Sequence, residues 1–330
     1  MLRVSADVED VELSSPSRVA IVGLGNVGAS FAYALLISGL APEIVLIDAN
    51  QKKAEGEAMD LNHAVPFLRP VRVWAGDYAD CAGAAVTVIC AGAAQRPGET
   101  RLDLIGKNAR IFASIVPEVV RHNPNGIILI ATNPVDVLTY AAWKLSGLDS
   151  SRVFGSGTIL DTARFRYLLS QHYDVDARSV HGFIIGEHGD SEVPVWSLTN
   201  IAGMNLRDYS ARQNIPHDDE ILKDIFQQTR DAAYKIIDCK GATYYAVASG
   251  LVKIVEAILR DQSTVLSVSS LLHGEYGIQD VCLSLPTVVH RSGVERVLEL
   301  PLAPDEEAAL RASAAVLHQS IESLRDTLPK

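Results

Sequence analysis

The amino-acid sequence predicts an α/β protein in which a doubly wound parallel sheet is followed by a mixed α+β half. Three observations carry that expectation. Short, almost wholly apolar segments alternate with helical ones up to about residue 157. Strands that are apolar throughout belong to sheets covered on both faces. After residue 157 the alternation gives way to longer helices and two β-rich stretches.

The elements follow in order. Residues 1–17, acidic and Ser-rich without a period, read as a flexible arm. RVAIVG (18–23) is a strand closed by glycine, and the Ala- and Leu-rich stretch 27–39 is a helix stopped at Gly39. EIVLID (43–48) is a second strand, and 51–64 a polar amphipathic helix. Strands follow at 71–76 and 85–92, a long helix at about 103–122 ended by Asn-Pro, a strand at 126–132 and a helix at 135–145. Right-handed crossovers turn this series into a doubly wound sheet. Beyond it lie helices near 159–171, 217–238, 243–260 and 304–328, with β-rich stretches at 262–272 and 280–290. The expected organisation is an arm (1–17), a first domain (18–157) and a second domain (158–330).

Composition narrows the function. The chain has 330 residues, 48% hydrophobic and 21% charged, enough apolar content for more than one core and too little charge for disorder. Its 29 Lys and Arg against 40 Asp and Glu give a net charge of −11. Such a surface repels nucleic acid and anionic membrane, so neither is an expected partner, and an anionic substrate needs a local basic pocket. Cys81, Cys90, Cys239 and Cys282 show no CxxC spacing, which points away from a structural metal. Scattered cysteines, no signal-peptide core and no apolar run of membrane length make a soluble cytoplasmic protein the expectation.

GLGNVG (23–28) fits GxGxxG and stands where that motif requires, after a strand and opening a helix. Gly23 permits the tight turn, Gly25 lets backbone approach a pyrophosphate, and Gly28 lets helix and strand pack closely. The helix N-terminus adds free N–H groups and partial positive charge. Asp48 ends the next strand, twenty residues after Gly28. A carboxylate there accepts hydrogen bonds from ribose hydroxyls and repels the extra phosphate of NADP. The first domain is therefore expected to be a Rossmann domain that binds NAD.

Three further segments carry chemistry: AGAAQRPGETRLDL (91–104), GSGTILDTARFR (155–166) and IIGEHGDSEVP (184–194). Together they offer a histidine, a carboxylate and arginines. Hydride transfer to a 2-keto acid needs that set, to hold the substrate carboxylate, polarise the carbonyl and deliver a proton. An imidazole suits proton exchange near neutrality, and the planar Arg fork matches a carboxylate better than Lys does. Pro97-Gly98, flanked by polar residues, reads as a mobile lid.

In combination these segments resemble the bacterial-type L-lactate dehydrogenases of the lactate/malate dehydrogenase family, from about residue 18 to the end. The resemblance implies His188 as the acid in pyruvate reduction and the base in reverse. It implies that Asp161 orients His188, that Arg164 grips the substrate carboxylate, and that Arg101 swings in with the lid to polarise the carbonyl. Asn133 would bond the reacting oxygen, and Thr243 would line the substrate pocket. For the cofactor it implies contacts from Val27, Asp48, Lys53, Tyr78, Gly92, Ala93, Ser114, Ala131, Asn133 and Ser156 beside the three glycines.

Lactate and malate enzymes differ at the lid position six before the catalytic arginine, here Gln95, where malate enzymes carry an arginine. A neutral Gln leaves the second carboxylate of oxaloacetate buried and unpaired, which favours pyruvate. Arg96 adjoins Gln95 and keeps a malate enzyme as the alternative. A binding protein that kept the fold without catalysis predicts loss of His188, Asp161, Arg101 or Arg164, and all four are present. The resemblance further implies a homotetramer, glycolytic or fermentative regeneration of NAD, and activation by fructose 1,6-bisphosphate through Arg166 and His181 at a subunit interface.

Overall fold

The computed structural model describes residues 17–93 and 101–324. Its first half runs β1 (Arg18–Val22), α1 (Asn26–Ser38), β2 (Glu43–Ile47), α2 (Gln51–Ala64), β3 (Arg72–Ala75), β4 (Ala84–Ile89), α3 (Arg101–His122), β5 (Ile127–Ile130), α4 (Val135–Ser146) and β6 (Val153–Gly155). These strands lie in the order β6-β5-β4-β1-β2-β3, and every neighbouring pair is parallel.

The unbroken apolar runs have a geometric cause. Successive side chains of a strand point to opposite faces, and both faces here are covered. Val19, Ile21, Ile44 and Leu46 share one core with Phe31, Leu35 and Leu36 of α1. Ala20, Val22, Val45 and Ile47 share another with Phe112, Ile115 and Val116 of α3. Local capping sets the entry of α2, where the Asn50 side chain accepts from the Lys53 N–H.

The second half continues with α5 (Ile159–Tyr173), β7 (Val180–His181), β8 (Ile184–Ile185), β9 (Val193–Pro194), β10 (Asn200–Ile201), β11 (Met204–Asn205), α6 (Leu206–Gln213), α7 (Asp219–Lys240), α8 (Tyr245–Leu259), β12 (Thr264–His273), β13 (Gln279–His290), β14 (Gly293–Val297) and α9 (Pro304–Glu322). The two β-rich stretches form the antiparallel hairpin β12–β13, joined by β14. This meander extends the parallel sheet: β12 pairs antiparallel with β6 through Ser269 and Gly155, giving nine strands in the order β14-β13-β12-β6-β5-β4-β1-β2-β3. On the meander α9 buries Leu310, Ala314, Leu317 and Ile321 against Leu271, Val281, Leu283 and Leu285. The charged start of α7 is capped by Asp218, whose side chain accepts from Glu220 N and Ile221 N.

The short strands β6 to β11, the edge strand β14 and helix α6 were not legible as elements, because strands of two to five residues and a helix of eight do not establish a period. Residues 1–16 of the expected arm (1–17) lie outside the described part, and α9 is described to Glu322 of the expected 304–328. Among the described residues no helix is long and apolar enough to cross a membrane.

Candidate active site

The carboxyl ends of the parallel strands converge on one edge of the sheet, where doubly wound proteins bind ligands. Gly23 follows β1, Asp48 follows β2, Gly92 follows β4, Asn133 follows β5 and Ser156 follows β6. Gly23 has φ of 93°, and a Cβ there would sit 2.4 Å from Ala91 Cα. A Cβ on Gly28 would sit 1.9 Å from the Gly23 carbonyl oxygen, so α1 can approach the turn only as glycine. Gly25 differs: it is exposed and a Cβ would meet nothing within 4 Å. It precedes Asn26 at the start of α1 and supplies no side-chain cap. The first N–H groups of α1 therefore face an open cradle suited to a pyrophosphate.

Asp48 holds this turn in place. Its Oδ2 accepts from Leu24 N at 2.7 Å and its Oδ1 from Asn50 N at 2.8 Å. A carboxylate has about four acceptor positions, which leaves capacity for a ribose diol. The glycine cradle and the carboxylate beside it fit a dinucleotide. Around them Val27 is half-buried against the first core, Lys53 is exposed in the first turn of α2, and Tyr78 is half-buried, its hydroxyl pushed up by burial. Ser114 is exposed on α3 and donates back to Ile111 O, while Ala131 N and Ser156 N bond the sheet carbonyls of Ile89 and Ile130. Gly92 has Thr132 beside it, where a Cβ would come within 2.3 Å of Cγ2.

Ala93 reveals a residue that sequence reasoning missed. Its N–H donates to Oδ1 of the fully buried Asn108, whose Nδ2 donates to Asn133 O at 3.0 Å. Asn108 on α3 thus ties the segment after β4 to the segment after β5. The available signal was an amide among apolar residues on an amphipathic helix.

Four of the expected site residues, Asn133, Asp161, Arg164 and His188, meet at a cavity of about 320 Å³, lined also by Glu192 and by residues of α7 that include Arg230 and Tyr234. Asp161 and Arg164 lie one turn apart on α5, so they share a face. Arg164 Nη1 donates to Asp161 Oδ1 at 2.9 Å, and His188 Nδ1 lies 2.5 Å from Asp161 Oδ2. The backbone N–H of His188 donates to Oδ2 of buried Asp136 at 2.7 Å. Asp136, on α4, is a second residue sequence reasoning missed; it anchors the His188 loop rather than its ring. Asn133 turns Oδ1 toward Val135 N at 3.3 Å.

Burial works against charge on His188, but the facing Asp161 carboxylate, with Asp136 and Glu192 behind it, raises its pKa to about 9. Burial likewise opposes charge on Asp161, yet His188 and Arg164 hold its carboxyl below the usual range. The result is a protonated imidazole leaning on an ionised carboxylate, with Nδ1 engaged and Nε2 left to serve the cavity.

The other expected residues are not among those lining this cavity or lie outside the described residues. Thr243, in the link between α7 and α8, is not among the lining residues. Gln95 and the Pro97-Gly98 lid lie outside the described residues, as does the side chain of Arg101, which opens α3. Arg166 faces a separate cavity of about 610 Å³, alongside Arg178 and Lys253. Its Nε donates to Gly182 O at 2.9 Å and its guanidinium stacks on Phe183, and His181, exposed on β7, immediately precedes Gly182 in the chain.

Residues 17–155 match the model of the lactate/malate dehydrogenase NAD binding domain, and residues 158–327 that of the family's alpha/beta C-terminal domain. L-lactate dehydrogenase 1 of Clostridium acetobutylicum is 53% identical over 308 residues, covering 93% of this chain and 98% of that protein. L-lactate dehydrogenase of Priestia megaterium is 52% identical over 303 residues, covering 92% and 95%. The crystal structure of minor L-lactate dehydrogenase from Enterococcus mundtii in its ligands-bound form superposes with a TM-score of 0.91 at 44% identity, over 94% of this chain and 99% of that one. With a dinucleotide cradle between β1 and α1 and a His–Asp–Arg cluster at a cavity beside α5 and α7, the chain belongs to the lactate/malate dehydrogenase family of NAD-dependent oxidoreductases.

Proposed function

We propose that this chain is an L-lactate dehydrogenase, reducing pyruvate to (S)-lactate with NADH and running in reverse with NAD. The observation that carries the reading is the shared use of Asp161: one oxygen on His188 Nδ1, the other on Arg164, both at one small cavity. NADH, when bound, supplies the hydride. The protein does the rest. Arg164 presents the two-pronged donor edge that a carboxylate matches. His188, charged at neutral pH, delivers its Nε2 proton to the substrate oxygen as negative charge develops there. Asp161 stabilises the imidazolium and fixes which nitrogen carries the mobile proton. Arg101 on the lid polarises the carbonyl, Asn133 bonds the same oxygen, and Thr243 contacts the substrate's methyl side.

Neutral Gln95 supports pyruvate over oxaloacetate, since an unpaired second carboxylate costs several kcal/mol when buried. The test is loss of NADH absorbance on adding pyruvate, oxaloacetate or longer 2-keto acids in parallel. Pyruvate should lead oxaloacetate in kcat/KM by about 10²–10³. A lead for oxaloacetate assigns the malate reaction instead.

We also propose a cytoplasmic homotetramer that regenerates NAD in glycolysis or fermentation and responds to fructose 1,6-bisphosphate at Arg166 and His181. Arg166 is partly buried, bonds the carbonyl of Gly182, the chain neighbour of His181, and shares its cavity with Arg178 and Lys253, which pair with Asp176 and Glu256, on a chain of net charge −11. A doubly phosphorylated sugar needs local positive charge. An effector there gains by favouring the state that presents Arg164 correctly, commonly by about 5–150-fold. Sigmoidal pyruvate curves should become hyperbolic with millimolar effector, and Arg166→Gln should abolish the change. Superimposable native curves with and without the sugar remove this regulation and leave the catalytic reading intact.

A further inference from the structure

The cavity that contains His188 also contains a carboxyl group to which the chemistry above gives no role. Glu192 immediately precedes β9 and is 6% exposed. Its Oε1 is fully buried without a hydrogen-bond partner, and no ion pair joins its side chain to a described residue. The other acids of the cluster each hold at least one partner: Asp161 binds His188 and Arg164, Asp190 binds Tyr234, and Asp136 holds the His188 backbone through Oδ2 while its Oδ1, like Glu192 Oε1, is buried without a partner.

The groups that face Glu192 come from three sides. Asp161 and Arg164 stand on α5, His188 and Asp190 on its own loop, and Arg230 on α7. The remaining neighbours, β8 and α9, pack Ile185, Leu310, Ala314 and Leu317 around Val193, and the buried acid of α9, Glu306, is engaged by Ser197 N and Oγ. Burial is the main cause that lifts the Glu192 carboxyl, and Asp161 adds to it; the pull of His188, Arg164 and Arg230 leaves it at about 8. An ionised carboxylate in that position is poorly solvated and unpaired. A keto acid brings a further carboxylate to Arg164, inside the same walls, where like charges repel strongly. Anion binding and ionisation of Glu192 therefore oppose each other, and by linkage each weakens the other by the same factor.

We propose that Glu192 is a substrate-site residue that enters the bound state as the neutral acid, so that the 2-keto acid anion binds together with a proton on Glu192, distinct from the proton on His188. No bond other than O–H changes: the proton comes from solvent to a Glu192 oxygen on binding and returns when product leaves. The inference rests on the 2-keto acid reading of this cavity.

The test uses the native enzyme with NADH and oxamate, the unreactive amide isostere of pyruvate. Calorimetry at pH 8 in two buffers of different ionisation enthalpy should show uptake of about half a proton per site from Glu192, against about a tenth from His188. Glu192→Gln should retain only the His188 part. In steady state, the native pyruvate KM should climb up to about tenfold per pH unit above 8, and Glu192→Gln should bind pyruvate about tenfold better than native at pH 9. Glu192 also raises His188, so the pH at which lactate oxidation rises is followed in both proteins to locate the His188 step separately. Native proton uptake no larger than the His188 share, or a variant whose KM profile keeps the native step, overturns the proposal. Absence of oxamate binding and of pyruvate turnover in the native enzyme removes the functional reading itself, a different outcome from a normal enzyme with a one-proton profile.

Discussion

Replacing His188 with alanine should cut pyruvate turnover by about 10²–10⁴ while leaving NADH binding near native, because proton delivery from a placed acid contributes on that scale. The glycine cradle and Asp48 are not among the residues that line the His188 cavity, so nucleotide titration by fluorescence should be unaffected. A variant with native kcat would remove His188 from the chemistry. The native pH profile supplies an independent check with a definite sign. His188 is raised from 6.5 to about 9, so it carries its proton at neutral pH and loses it as pH climbs through about 9. Pyruvate reduction needs the proton and should decline over that interval. Lactate oxidation needs the bare nitrogen and should rise over the same interval. Followed as kcat at saturating substrate, so that the Glu192 step carried by KM does not enter, opposite limbs with a common midpoint are the expected record of one group serving both directions. A midpoint near the ordinary histidine value would mean that Asp161 does not bear on the ring as the 2.5 Å contact indicates.

Gln95→Arg should shift the ratio of kcat/KM for oxaloacetate over pyruvate upward by orders of magnitude. Gln95 lies outside the described residues, so the expectation comes from charge alone. With glutamine, the second carboxylate of oxaloacetate enters a closing site without a counter-charge. With arginine it gains one, and pyruvate, ending in a methyl group, leaves that arginine buried and unpaired. Discrimination then comes from attraction to one substrate and a penalty against the other. Arg96→Gln is the control and should move the ratio little. An unchanged ratio in Gln95→Arg would mean that residue 95 does not face the substrate, and a large change in Arg96→Gln would assign that position to its neighbour.

What the chain declares locally, its sequence was able to declare alone. Runs such as RVAIV and EIVLI are apolar at every position because each strand is covered on both faces, and that pattern needs no knowledge of partners. The glycine turn is only partly local: Gly28 answers to the Gly23 carbonyl within one strand–turn–helix unit, whereas Gly23, besides its positive φ, is closed off by Ala91 from beyond β4. The segments around His188, Asp161 and Arg164 were readable as a set because their residue types match one chemistry, and Asp161 and Arg164 also share a helical turn.

The tertiary structure decided the rest, because it depends on residues far apart in the chain. Joining β12 to β6 rests on one pairing, Ser269 with Gly155, which nothing in either segment announces. Asn108 bridges Ala93 and Asn133 from 15 and 25 residues away, and Asp136 anchors a backbone N–H 52 residues on. In sequence they are merely polar residues on helices. Protonation is the plainest case. Burial alone would push His188 down and does push Glu192 up, and only the assembled cavity, with Asp161 against the imidazole and no partner for Glu192 Oε1, turns the first into a retained proton and leaves the second a neutral acid near pH 7. A pKa is set by the balance of solvation and facing charge, and that balance exists only after the chain has closed around both groups.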